Sequence, residues 1–127
     1  MVKKRLIFTL LYADGQFMLS RNFRLQKVGN LRWIENNYNL PKVARHIDEL
    51  VVLDVSRGER DVDAFCETVS RLVSRCFIPV SVGGGITSSG YAERLFHAGA
   101  DKLVLNSVLV NDPDLVRSLA EHYGAQS

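Results

Sequence analysis

The residues best suited to chemistry lie in the stretch Ile78-Pro79-Val80-Ser81-Val82-Gly83-Gly84-Gly85-Ile86. Ile78, Val80 and Val82 suit a buried strand with no charge to solvate. The three glycines have no Cβ, so their amides can approach a ligand closely and adopt positive φ. Thr87, Ser88 and Ser89 are good N-caps for a helix running through Tyr91 and Ala98. Strand, bare amides and helix N-terminus together make a place for an anion, most often phosphate. The same residues also fit a turn that needs glycine only to pack. Two further positions invite chemistry. Asp54 ends an apolar run and is expected to point into a pocket mouth and touch substrate; the plainer alternative is a helix or turn cap. Asn106-Ser107 follows another apolar run and offers a hydroxyl donor, or simply a helix-entry turn.

These residues need elements to hold them. Apolar runs at 6–12, 50–55, 78–82 and 103–105 read as four buried strands. Val62, Phe65, Val69 and Leu72 recur at helical spacing and predict a helix over 61–75, with Cys66 beside its apolar stripe. A second helix is expected over 89–98 with Gly99 at its C′ position, and a last one over 112–123 capped by Asn111. Asp14-Gly15 marks a turn, and 16–30, which lacks a clean period, reads as a long loop. Short helices are expected at 30–37, capped by Asn30, and at 41–47, started by Pro41. The order is strand then helix, four times over, which predicts an α/β fold of parallel strands joined by right-handed crossovers. Every strand ends in polar or glycine residues, and ligands sit at that end in open sheets and (β/α)8 barrels alike.

A chain of 127 residues makes one domain, and its net charge of +2 comes from interspersed acids and bases. That balance argues against a nucleic-acid partner. Cys66 and Cys76 lack metal-ligand spacing and read as reduced thiols of a cytoplasmic protein. His46, His97 and His122 are expected on helices without shared ligand spacing, so neither metal nor cofactor is expected. Lys3-Lys4-Arg5 before 6–12 mimics a signal peptide, but the apolar run is short and Asp14 follows it. No stretch is long enough to span a bilayer, so no membrane partner is expected. Trp33 and Tyr38 are expected to pack a loop.

Laid out this way, the chain resembles the first half of the cyclase subunit of imidazole glycerol phosphate synthase, a (β/α)8 barrel of histidine biosynthesis. The resemblance rests on Lys4-Arg5-Leu6-Ile7, Asp14-Gly15, Val28-Gly29 and Asp48-Glu49-Leu50-Val51-Val52-Leu53-Asp54. It continues through Phe77-Ile78-Pro79, the glycine triplet with Ile86, Ala98-Gly99-Ala100-Asp101-Lys102 and Asn106-Ser107. It implies a single half-barrel domain over 1–127, with four of the eight β/α units. It further implies a phosphate site at Gly85, Asn106 and Ser107, with Asp54 on the substrate. Arg5, Glu49 and Lys102 would belong to a charged gate through which a partner glutaminase delivers ammonia, and Asp101 would face that partner.

Two departures from the family pattern matter. The catalytic aspartate expected at the end of the first strand is Leu11, and a lysine expected on the next loop is Leu19. Leucine cannot act as a general base. The family's catalytic acid and second phosphate site belong to units that lie beyond these four. The pattern also resembles a divergent branch in which such a barrel feeds ammonia to an amidotransferase making acetamidino sugars for surface polysaccharides. Four parallel strands leave a barrel open, so either the other half or a second copy of the chain is expected to close it. Two other readings remain: a non-catalytic half-barrel that binds phosphate or itself, and a four-unit open sheet of the flavodoxin-like kind binding a phosphorylated ligand.

Overall fold

The computed structural model describes residues 4–21, 24–29, 32, 42 and 45–124. Six strands form one sheet: β1 (Ile7–Ala13), β2 (Gln16–Arg21), β3 (Arg24–Gly29), β4 (Glu49–Asp54), β5 (Val80–Gly83) and β6 (Lys102–Val104). Among the described residues, four helices follow the later strands: α1 (Val62–Arg75), α2 (Ser89–His97), α3 (Val108–Asn111) and α4 (Pro113–Tyr123). The spatial order is β3-β2-β1-β4-β5-β6. β1, β4, β5 and β6 pair in parallel and in sequence order. Consecutive parallel strands as neighbours are the arrangement of a barrel segment; a flavodoxin-like sheet places its first strand between the second and third.

The segment 16–30 is not the expected loop. Its larger part is a β-hairpin, β2 and β3, that continues the sheet antiparallel from β1 through Leu11↔Met18, Tyr12↔Phe17 and Ala13↔Gln16. The cause is local. Asp14 and Gly15 take φ of 51° and 80°, and two residues with positive φ make a hairpin turn that matches strand twist. The expected helices at 30–37 and 41–47 fall largely outside the described residues. Arg45 and His46 form a turn, with Arg45 N–H donating to the Lys42 carbonyl at 3.2 Å, so His46 is not helical. The last helix is capped by Asp112, not Asn111: Asp112 Oδ1 accepts from Leu115 N–H at 3.2 Å, and Pro113 takes the first helical position. Asn111 instead closes the unexpected short helix α3.

Strand register sorts every side chain to one of two faces. Leu10 and Tyr12 of β1, Leu50 and Val52 of β4, and Val80 and Val82 of β5 meet Phe65, Val69 and Leu72 of α1 and Ala92 and Leu95 of α2 in the core. The opposite face carries Ile7, Thr9, Leu11, Val51, Leu53 and Val104. Ile7 is 50% and Val104 38% exposed there, against 0% for Val52 and Val82 behind them. Val80 therefore packs under the helices, while Leu53 looks to the open side.

Aspartates placed just before two of the strands set the register. Asp48 N–H donates to the Leu6 carbonyl at 2.8 Å while its Oδ2 accepts from Leu6 N–H at 2.7 Å. Asp101 repeats the device on Val80, with both bonds at 2.8 Å. Each clamp ties the start of one parallel strand to the start of its neighbour.

Candidate functional site

Two ends of the sheet carry polar groups. At the C-terminal end of the strands, β5 runs into Gly84 and Gly85, with φ of 107° and 68°. Ser88 then caps α2, its Oγ accepting from Tyr91 N–H at 3.1 Å. A Cβ on Gly84 would come within 2.8 Å of the Asp54 backbone, and one on Gly85 within 2.8 Å of Arg60 Cδ and Cζ. Gly84 is thus required by close approach to backbone as well as by φ, and Gly85 by its φ. Gly83 pairs with Val104, so Gly85 and Asn106 stand two residues beyond a paired position on adjacent strands. Asn106 and Ser107 are exposed. Ser107 opens α3 without a side-chain capping bond, so its hydroxyl is free of that duty.

Asp54 departs from expectation. Register places it on the helix-side face with Leu50 and Val52, not at the open mouth, and it is buried. Its Oδ1 accepts from Ser56 N–H at 3.0 Å and from Ser56 Oγ–H at 2.6 Å. Ser56 Oγ in turn accepts from Asp14 N–H at 3.2 Å, linking the hairpin turn to β4. Arg60 Nη1 donates to the Asp54 carbonyl at 2.7 Å and lies 3.2 Å from its Oδ1. This is the turn-capping alternative, built out into a network. Arg60 was not singled out from the sequence; the polar run after β4 reads only as a turn. Nearby, the buried Tyr91 hydroxyl has no hydrogen-bond partner among the described residues. Burial, then the Asp54 charge, push its pKa up.

At the other end, Arg5 Nη2 donates to Glu49 Oε2 at 3.0 Å, and Ser81 Oγ donates to Glu49 Oε1 at 2.9 Å. Glu49 is 7% exposed, so both its oxygens are engaged in a largely dry place. Of the three expected gate residues, the structure joins Arg5 and Glu49. Lys102 pairs with Ser81 along the sheet but is exposed and makes no ion pair among the described residues. Asp101, expected to face a partner, spends one carboxylate oxygen on the Val80 amide. Leu11 lies between the two ends on the open face, opposite Leu53 of β4 and Met18 of β2. The position expected to hold a base is thus in an apolar patch. Among the described residues no group of three or more His, Cys, Asp or Glu could hold a metal ion, and no helix is long and apolar enough to cross a membrane.

A sequence model described as histidine biosynthesis protein matches residues 36–127. The chain belongs to this histidine biosynthesis family. The family's barrel architecture agrees with the strand order seen here. The chain is 47% identical over 127 residues to a Parasynechococcus marenigrum (strain WH8102) protein provisionally named imidazole glycerol phosphate synthase subunit hisF2; the match covers 100% of this chain and 47% of that relative. It is 36% identical over 127 residues to imidazole glycerol phosphate synthase subunit HisF of Phocaeicola vulgatus, covering 99% of this chain and 49% of the relative. For the HisF subunit of Staphylococcus carnosus (strain TM300) the identity is again 36% over 127 residues, with 99% and 48% covered. The chain spans about half the length of the curated relatives it matches.

Proposed function

We propose that these four units act as the N-terminal half of a cyclase-like barrel in a glutamine amidotransferase of the imidazole glycerol phosphate synthase kind. The half-barrel receives ammonia from a glutaminase subunit at the strand starts, where Arg5, Glu49 and Lys102 form part of a gate and Asp101 lies beside the partner. It holds the phosphate of a small-molecule substrate at the strand ends, through the Gly85 amide, Asn106 and the Ser107 hydroxyl. One observation carries this reading. A buried Glu49, held by Arg5 and Ser81, and a glycine rim stand at opposite ends of the strands that form one largely apolar face. A neutral molecule such as ammonia crosses an apolar face more readily than an ion does.

Leu11 leaves this half without the base expected at that place, so alone it conducts ammonia and binds phosphate without closing a ring. That chemistry suits delivery of ammonia for acetamidino-sugar synthesis better than imidazole formation. The test mixes the purified chain with a glutaminase subunit and follows glutamine hydrolysis. Stimulation that Glu49→Ala abolishes supports the reading, and a glutaminase rate indifferent to the chain overturns it.

The exposed apolar face favours a second reading, a non-catalytic half-barrel that binds phosphate and pairs with a second copy. Phosphate raising the melting temperature, with no effect on any glutaminase, would select it.

A further inference from the structure

Arg60 sits at a junction that nothing in its sequence setting announces. Its Nη1 bridges the carbonyl and carboxylate of Asp54, at 2.7 and 3.2 Å, and its Nε, Cδ and Cζ lie where a Gly85 side chain would be. Asp54 is itself locked by two bonds from Ser56. Gly84 rests on the backbone of Asp54. The turn after β5 is therefore held from beneath by β4 and from the side by the guanidinium. Arg60 is only partly exposed, with 27% of its side chain in solvent, and it opens on its far side to a groove of about 560 Å³ shared with Glu59, Asp61 and Arg94.

We infer that Arg60 is the positioning residue of the glycine rim. Its guanidinium bonds the end of β4 and lies against Gly85, so that it fixes the direction of the Gly84 and Gly85 amides and adds a positive charge beside any oxyanion they receive. Lysine cannot replace it, because a compact ammonium lacks the flat face that lies against Gly85. The inference rests on the reading of this rim as a phosphate site, and its test separates the two.

The full chain, labelled with ¹⁵N, is titrated with inorganic phosphate as wild type, Arg60→Lys and Arg60→Gln. Without phosphate, both variants lower the amide order parameters of Gly84 and Gly85 from about 0.85 to below about 0.6, while the α2 core around Leu95 stays rigid. With phosphate, Arg60→Gln binds at least about fivefold more weakly, and Arg60→Lys recovers part of that loss but none of the rigidity. Unchanged order parameters in a folded Arg60→Lys chain would overturn the inference, and the lysine variant serves even if the glutamine one fails to fold. A wild-type chain whose glycine amides ignore phosphate would remove the phosphate reading alone. The order parameters would then still decide the role of Arg60.

Discussion

Glycines that look alike in the sequence do unlike work. Gly84 takes a φ of 107° against the Asp54 backbone, whereas Gly90, in the first turn of α2, has nothing within 4 Å of where a Cβ would be. Gly84→Ala is expected to cost about 1–3 kcal/mol of stability from backbone strain. Gly90→Ala should instead add about 0.4–1 kcal/mol by restricting the unfolded chain. Urea unfolding of the two variants checks both signs. Tyr91 gives a second residue-scale prediction. Its buried, unpartnered hydroxyl costs desolvation, so Tyr91→Phe should stabilise the chain by about 1 kcal/mol. Burial raises the pKa of Tyr91 and of Cys76 above their ordinary 10.0 and 9.0. Both groups are neutral when protonated, so the unfolded chain loses these protons first. Stability is then full below about pH 9 and falls as pH rises toward the folded-state values. Melting curves between pH 8 and 11 should show that decline, and Tyr91→Phe should make it shallower.

At the scale of elements, the paired aspartate clamps explain how short strands keep register. β6 has three residues and little ladder of its own. Asp101→Ala removes a carboxylate bond from a part-buried amide and should cost about 1.5–3 kcal/mol. Asp48→Ala should cost less, because its bond to Leu6 is exposed and water can replace it. Thermal melts of the two variants test the ranking; equal losses would mean that burial does not set the cost. The hairpin β2–β3 is the other element-scale lesson. Asp14-Gly15 between apolar runs is a hairpin signal in its own right, but Arg21, Arg24 and Lys27 obscured the strands that follow it. Of the two, β3, with Arg24 and Lys27, is the edge strand of the sheet, where charged residues are ordinary.

For the whole molecule, the decisive feature is a sheet covered, among the described residues, on one side. Among these residues the helices bury most of one face, and the other leaves Ile7 and Val104 half in water. Such a face asks for a second layer. If a second copy supplies it, light scattering at low concentration will give about twice the 14.3 kDa of one chain, and Val104→Glu will return the mass to one. A single-chain mass at all concentrations would rule out self-pairing and leave the face to a different half. Val52→Ala, in the covered core, should cost about 2–4 kcal/mol in either case.

The alternation of apolar runs with helical periods was enough to determine an α/β chain of four parallel units, the glycine turn and a helix cap within Thr87-Ser88-Ser89, of which Ser88 serves. These follow from local rules of spacing and backbone freedom that operate within a few residues. Which face each strand residue occupies was decided only by pairing between strands distant in sequence. That pairing turned Asp54 inward to Ser56 and Arg60, joined Arg5 to Glu49 across 44 positions, and left Lys102 apart from them. A period of two leaves the choice of face open, and a partner strand fixes it.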